Sequence, residues 1–224
     1  MIVSPADKQT SAIFTQVPCD LAFGCLVHTG FFASWKEISS RVLQGVKAVA
    51  AANPTWPIVV TGHSLGGAVA TLATPYIRKA NLKADLYTSG SPRVGNSVFV
   101  KYVTNQAGGE YRLTHEADPF ARLPPIIFNY RHTSPEYWLK EPALSSADIK
   151  VCTGYADIGC NAGTTGFDLS QHSDYFEPVN GCEALGYTPW RRQEKRAGLT
   201  DAELRAKLAE WAKADVAYAN DLVE

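Results

Sequence analysis

One segment, Ile58–Thr74, encodes a strand, a tight turn and a helix in succession, and it constrains the fold more than any other part of the sequence. Its first residues are β-branched, and its last residues favour a helix. Between them lies Gly62-His63-Ser64-Leu65-Gly66, the G-x-S-x-G pattern of a nucleophile elbow. A glycine-rich turn with an incidental serine is the alternative, but a strand before and a helix after are the context in which an elbow occurs.

Ser64 is the predicted nucleophile, held by the turn in a strained backbone conformation at the start of a helix. A Cβ atom at Gly62 or Gly66 is expected to collide with the neighbouring strand or helix, which is why glycine is needed there. The free N–H groups at the helix N-terminus favour a developing oxyanion. His63 is expected to be a residue of the turn rather than the base.

A serine hydroxyl needs a base, and the base needs a carboxylate to orient it. Three histidines follow the serine in the sequence: His115, His132 and His172. We assign His172 as general base and then acid, because it lies in a polar, glycine-rich loop; a surface loop histidine is the alternative. Asp118, at the carboxyl end of a predicted strand, is the orienting acid, unless it only caps a turn. His115 is too close to Asp118 in sequence, and His132 lies within a strand pattern.

Strands and helices alternate along the 224 residues, which predicts one α/β domain with a mainly parallel or mixed central sheet flanked by helices. The predicted helices span residues 33–52, 66–80 and 96–106. The predicted strands of the sheet span residues 58–61, 84–89 and 111–114. Residues 129–133 and 136–139 are predicted to pair with each other near an edge of the sheet, with Pro135 between them.

An extra helix is predicted at the C-terminal end. Thr200 and Glu203 form a capping box that opens a helix extending to about Leu222. Its apolar stripe predicts docking against the domain or against a second copy, and this stripe comprises Leu204, Leu208, Trp211, Tyr218 and Leu222. A charged linker precedes the helix.

Charge and hydropathy exclude several classes of function. The formal net charge is −1 with both signs mixed along the sequence, so we expect neither nucleic acid nor an anionic membrane surface as a partner. No apolar run reaches about 18 residues, so no transmembrane segment is predicted. Met1–Lys8 contains a proline and charges where a signal peptide needs an apolar core, so we expect no signal peptide within the sequence.

The five cysteines indicate an oxidising compartment. Cys19 lies close to Cys25 in the sequence, and Cys152 lies close to Cys160. Neither spacing matches the paired cysteines of zinc sites, so no metal site is predicted, and both suit small disulfide-closed loops. Five reduced thiols in a cytosolic protein are the alternative. Cys182 is left without a nearby partner and is predicted to be unpaired.

Taken together, these and other segments make the sequence similar to the fungal class 3 lipase family, which includes triacylglycerol lipases of filamentous fungi and feruloyl esterases. The matching segments follow the family's order and include Val27–Phe31, Val60–Gly67, Ser89–Asn96, His115–Pro119, Tyr130–His132, Glu136–Trp138 and His172–Phe176. The resemblance implies an α/β-hydrolase fold and hydrolysis of carboxylic esters without metal or cofactor. It supports the local disulfides Cys19–Cys25 and Cys152–Cys160, and it matches Cys182 to a family cysteine that bonds near the N-terminus.

The resemblance also marks what residues 1–18 lack. Family members carry an N-terminal helix, the first strands, a Gly-Ser or Gly-Thr oxyanion element and a lid helix before this point, so we expect a member without its N-terminal strands. The backbone N–H of Leu65 supplies one oxyanion donor, and Ser4 is the candidate for the second. Losing one donor costs about 10²–10³ in kcat. The strand at residues 58–61 is expected to have an exposed apolar edge.

The predicted organisation is an α/β-hydrolase domain over residues 1–189 and a charged linker with an amphipathic helix over residues 190–224. The leading hypothesis is a secreted ester hydrolase that forms an acyl-enzyme and acts on acylglycerols at a lipid–water interface or on related esters. The alternatives are a feruloyl esterase, a serine peptidase or thioesterase, and a truncated product or pseudo-enzyme impaired by the absent oxyanion strand. Candidate acyl contacts, each equally a candidate for the core, are Phe31, Phe32, Pro124, Ile126 and Ile127.

Overall fold

A computed structural model describes residues 14–140, 146–179 and 200–222. Its strands are β1 (Gln16–Pro18), β2 (Leu26–His28), β3 (Ile58–His63), β4 (Ala84–Ser89), β5 (Glu110–His115), β6 (Glu136–Leu139), β7 (Ile149–Cys152), β8 (Asp174–Tyr175) and β9 (Glu177–Pro178). Its α-helices are α1 (Thr29–Ala52), α2 (Leu65–Lys79), α3 (Ser97–Thr104) and α4 (Asp201–Asn220).

The centre of the structure is a mixed five-stranded sheet in the order β3-β4-β5-β6-β7. Strands β3 to β6 run parallel, and β7 pairs antiparallel with β6. The predicted mixed sheet flanked by helices is therefore confirmed. Because parallel strands end at the same edge of a sheet, the carboxyl ends of β3, β4 and β5 lie side by side at His63, Ser89 and His115.

Capping chemistry sets where the helices begin. α1 begins earlier than predicted, because Nδ1 of His28 accepts hydrogen bonds from the backbone N–H groups of Gly30 and Phe31, at 3.1 and 3.3 Å. α4 begins at the predicted capping box, in which the side chains of Thr200 and Glu203 each accept from the other residue's backbone N–H.

The main hydrophobic core encloses α2. The largest fully buried apolar side chains of this core come from α1, α2 and α3 and are Trp35, Leu72, Ile77 and Phe99. Burial of each such side chain stabilises the fold by about 1.5–3 kcal/mol. Phe31 and Phe32 pack against the same core, which is one of the two roles that the sequence predicted for them. α2 is thereby fixed against the sheet, and the turn at its first residue is fixed with it.

The predicted pairing of residues 129–133 with residues 136–139 is wrong. The backbone N–H of Arg131 donates to the carbonyl of Gly95 at 2.8 Å, and that of His132 donates to Tyr155 at 3.0 Å. Asn129 adopts the left-handed conformation with φ 65°. Loop contacts therefore satisfy this segment's backbone, while β6 pairs instead with β5 and β7.

β3 lies at the edge of the sheet, paired with β4 and with no second strand among the described residues. Val59, in the middle of β3, is 54% exposed. An apolar groove runs beside this edge between α1, β3 and α2, and its lining includes Ile38, Val42, Val60 and Val69. The exposed apolar edge agrees with the sequence-based expectation.

α4 packs against the rest of the domain. Leu208 and Trp211 are buried, and the Trp211 ring contacts the rings of Phe14 and Phe128 at centroid distances of 5.4 and 6.0 Å. Of the two docking partners predicted for this helix, the domain is the one observed. The predicted linker and the boundary at residue 189 lie outside the described residues. No helix within the described ranges is long and apolar enough to cross a membrane.

Candidate active site

Ser64 sits at the turn between β3 and α2 in a strained backbone conformation, with φ 55° and ψ −127°. A positive φ is rare for a residue with a side chain, so the surrounding structure must hold it there. A Cβ atom on Gly62 would lie 2.3 Å from the carbonyl oxygen of Gly66. The turn therefore requires glycine at position 62, as predicted.

The prediction for Gly66 is wrong. A Cβ atom built on Gly66 would meet no atom of the described residues within 4 Å. The neighbouring glycine is the constrained one, because a Cβ on Gly67 would lie 2.8 Å from Cβ of Ser91. The close approach of α2 to the sheet thus falls one residue later than the G-x-S-x-G pattern indicates, on the side of the helix that faces the loop after β4.

The structure brings the three predicted catalytic residues together. Nε2 of His172 lies 2.8 Å from Oγ of Ser64, and Nδ1 of His172 lies 2.9 Å from Oδ2 of Asp118. Asp118 follows β5 and its side chain is fully buried, whereas the His172 side chain is 14% exposed. A buried carboxylate that accepts from Nδ1 leaves Nε2 free to accept the serine proton, which is the arrangement of a serine hydrolase.

Tyr175 is a site residue that sequence reasoning missed. Its hydroxyl donates a hydrogen bond of 2.6 Å to Oδ2 of Asp118. Burial, and then the adjacent Asp118 carboxylate, raise the pKa of Tyr175 well above its usual value, so the phenol keeps its proton. The sequence does place this tyrosine shortly after His172, but nothing in that spacing indicates which oxygen it reaches.

Two rings enclose the imidazole of His172. The ring of Phe120 lies at a centroid distance of 4.1 Å and the ring of His63 at 4.7 Å. His63, expected in the turn, is the last residue of β3, because the strand's pairing with β4 continues to Ser89. Its Nδ1 lies 3.0 Å from the hydroxyl of Ser89. Burial and the neighbouring His172 lower the pKa of His63, so its neutral form is favoured. A neutral ring here supports the base without a repelling charge.

The other two histidines have separate surroundings. His115 is buried, with its ring 5.9 Å from that of Tyr175. His132 donates from Nε2 to the carbonyl of Ala121 at 2.6 Å and is not part of a strand. Burial, and then the nearby arginines, hold the pKa of His132 well below its usual value. His172 is therefore the histidine that contacts the serine.

The backbone N–H of Leu65 stands at the start of α2, directly after Ser64, where the free N–H groups of a helix point outward. Ser4, the candidate for the second donor, lies outside the described residues, as does Cys182. The predicted disulfides Cys19–Cys25 and Cys152–Cys160 are both formed. Across the described ranges, no group of three or more His, Cys, Asp or Glu side chains could hold a metal ion.

A parallel sheet with a serine on a strained turn before a helix, and an aspartate and histidine on loops at the same edge, defines an α/β-hydrolase. The family model for class 3 lipases matches residues 3–128. The secreted mono- and diacylglycerol lipase 1 of Fusarium solani is 48% identical over 217 residues, which cover 95% of this chain and 63% of that protein. The chain therefore belongs to the class 3 lipase family.

Solved structures agree with this assignment. The mono- and diacylglycerol lipase of Aspergillus oryzae superimposes with a TM-score of 0.73 at 35% identity, over 80% of this chain and 69% of that one. A triacylglycerol lipase whose catalytic centre is described as a serine protease triad gives a TM-score of 0.68 at 31% identity, over 75% and 65% of the two chains. The chain spans 63% of the length of the Fusarium solani protein, so less than two thirds of that relative is represented.

Proposed function

We propose that this protein is a secreted carboxylic-ester hydrolase that acts on acylglycerols through an acyl-enzyme. The observation that carries the proposal is the hydrogen-bonded series Ser64–His172–Asp118 at a strained strand–helix turn. Membership of the class 3 lipase family supports an ester as the substrate. The relatives named mono- and diacylglycerol lipases support glycerol esters, and the names of two relatives as secreted agree with the two disulfides.

The proposed reaction begins with attack of the Ser64 hydroxyl oxygen on the ester carbonyl. Nε2 of His172 takes the hydroxyl proton, and Asp118 stabilises the resulting imidazolium through Nδ1–H. The oxyanion of the tetrahedral intermediate accepts a hydrogen bond from the backbone N–H of Leu65. When the intermediate collapses, the alcohol leaves with the proton from His172, and the acyl group stays on Ser64. His172 then deprotonates a water molecule that releases the acid.

A catalytically impaired chain is the second candidate. One observation favours it: among the described residues, the N–H of Leu65 is the single oxyanion donor that we assign, and the adjacent edge of β3 is open. A missing donor lowers kcat by about 10²–10³. The two candidates therefore differ in rate rather than in the residues that carry the reaction. A feruloyl esterase is the remaining alternative within the same family.

The test is hydrolysis by the purified 224-residue chain beside its Ser64→Ala variant. The substrates are p-nitrophenyl acetate, butyrate and palmitate, monoolein, and methyl ferulate. The proposal expects hydrolysis of the fatty esters that is lost in Ser64→Ala, with little turnover of methyl ferulate. Preference for methyl ferulate would support the feruloyl esterase. Equal background rates for the two proteins, with a folded far-UV circular dichroism spectrum, would support the impaired chain, whose Ser64-dependent rate would then lie below the background.

A further inference from the structure

A single buried carboxylate connects helix α4 to the edge of the sheet that carries the site. Asp215 lies on α4 with its side chain 4% exposed, and its Oδ2 lies 3.0 Å from Nη1 of Arg93. The same carboxylate accepts hydrogen bonds from the backbone N–H groups of Ile126, at 2.8 Å, and Ile127, at 3.0 Å. Asp215 thus satisfies the buried guanidinium of Arg93, on the loop after β4, and two consecutive backbone donors, those of Ile126 and Ile127, on a second segment.

Arg93 also binds the stretch of chain that contains Ile126 and Ile127. Its Nη1 donates to the carbonyl oxygens of Arg122 and Pro124, the latter at 2.9 Å. Its backbone N–H donates to the carbonyl of Leu123 at 2.7 Å. We call residues 119–128, which follow Asp118 directly, the acid segment. Arg93 and Asp215 together fix the backbone of the acid segment from position 122 to position 127.

The acid segment in turn contacts both Asp118 and His172. The backbone N–H of Phe120 donates to Oδ1 of Asp118 at 2.9 Å, and the Phe120 ring packs against His172. The guanidinium of Arg122 donates to the carbonyls of Thr164 and Gly166, in the loop that leads to His172. A shift of the acid segment would therefore move both the carboxylate and one of the rings that hold the imidazole.

Helix α4 also contacts the loop that leads to His172. The Arg205 guanidinium lies 4.6 Å from the centroid of the Phe167 ring, and α4 packs against the turn Asn161–Gly163. Leu208 and Trp211 border the same small space as Pro119 and Leu123. The helix thus contacts both the segment that follows Asp118 and the loop that leads to His172, and Asp215 is its charged contact with the first of them.

We propose that Asp215 is a positioning residue, which holds the acid segment against α4 and so sets the position of His172 relative to Ser64. The inference rests on the proposed function, because it assigns a role in the same reaction. Asp215 touches neither the serine nor the histidine and acts through the acid segment. A misplacement of about 1 Å at a reacting group can lower the rate on the order of 10²-fold.

Two variants of the full chain test this role, with one matched control. Asp215→Asn removes the charge but leaves Arg93 buried without its counter-ion, which can unfold the protein. The pair Arg93→Gln with Asp215→Asn removes both charges and avoids that penalty. Glu210→Gln is the control, because its side chain is 65% exposed on the same helix and loses the same charge. Both test variants are expected to lower kcat for p-nitrophenyl butyrate on the order of 10²-fold with KM little changed. The control is expected to match the wild type.

A second readout does not require turnover. The Nδ1–H proton of His172, hydrogen-bonded to Asp118, is expected to give a low-field ¹H NMR resonance that shifts or broadens in the test variants and is unchanged in Glu210→Gln. If a folded test variant keeps both the wild-type kcat and this resonance, the positioning role is overturned, even where the melting temperature falls. If the wild type shows no Ser64-dependent hydrolysis but the resonance moves in the variants, the proposed function fails and the positioning role stands.

Discussion

The phenol hydroxyl of Tyr175 donates a 2.6 Å hydrogen bond to Oδ2 of Asp118. The same oxygen accepts from Nδ1 of His172, and the second oxygen accepts from the backbone N–H of Phe120. Asp118 is fully buried, so these donors stand in for the water that the carboxylate has lost. The carboxylate that orients the proposed base is therefore held in one place by groups on two separate segments.

We expect Tyr175→Phe to lower kcat for p-nitrophenyl butyrate by roughly 10- to 100-fold, because a hydrogen bond to a charged group contributes about 1.5–3 kcal/mol. The ring and its packing remain, so KM and the far-UV spectrum are expected to change little. Tyr137→Phe is the control, since that tyrosine stacks against Tyr111 on the sheet and does not contact the site. A kcat that stays at the wild-type value would show that the phenol contributes nothing to catalysis.

Gly62 and Gly66 are expected to respond in opposite ways to alanine. Gly62→Ala places a Cβ atom 2.3 Å from the carbonyl oxygen of Gly66, so overpacking should lower the free energy of unfolding by about 1–3 kcal/mol. Gly66→Ala meets open space among the described residues and replaces a helical glycine, so it should raise that free energy by about 0.5–1 kcal/mol. Urea unfolding of both variants measures the difference. Equal destabilisation would contradict the packing described around the elbow.

The sequence was sufficient for features that depend on local chemistry. The elbow, the capping box at Thr200 and the two small disulfide loops each need only residues close together in the chain. The residues Ser64, Asp118 and His172 could be selected because only three histidines follow the elbow in the sequence, and because Asp118 lies at the carboxyl end of a predicted strand.

Contacts between remote segments could not be predicted. No local pattern indicates that Tyr175 reaches Asp118, or that Asp215 spans to Arg93 across 122 positions. The segment 129–133 contains a tyrosine and a threonine, which strands favour, but the backbone N–H groups of Arg131 and His132 donate to Gly95 and Tyr155. The wrong prediction for Gly66 has the same cause. The G-x-S-x-G pattern indicates that a glycine of α2 lies close to the sheet, but the packing of α2 decides that this glycine is Gly67.

Thiol counting tests the prediction for Cys182. Of the five cysteines in the sequence, four form the two disulfides, so Cys182 is the one cysteine that remains. Titration with 5,5′-dithiobis(2-nitrobenzoic acid) in denaturant is expected to give one thiol before reduction and five after. A Cys182→Ser variant is the control and should give no thiol before reduction. No free thiol in the unreduced wild type would mean that Cys182 is bonded to another molecule.

Acid is expected to destabilise the fold in part through His132. Burial, and then Arg112 and Arg93, hold its pKa well below the usual value in the folded chain, whereas in the unfolded chain the pKa returns to about 6.5. Below about pH 6.5 the unfolded chain therefore binds a proton that the folded chain excludes, and the free energy of unfolding falls as the pH falls. His63, with its pKa also lowered, acts in the same direction.

The slope of the free energy of unfolding against pH isolates the contribution of His132. His132→Gln keeps a donor for the carbonyl of Ala121 but does not titrate, so between about pH 6.5 and 5 its unfolding free energy should fall less steeply than that of the wild type. The difference in slope has an upper limit of about 1.4 kcal/mol per pH unit, the value for one proton. Urea unfolding at several pH values gives both curves. Parallel curves would mean that His132 binds its proton equally well in the folded and unfolded chains, contrary to its burial between two arginines.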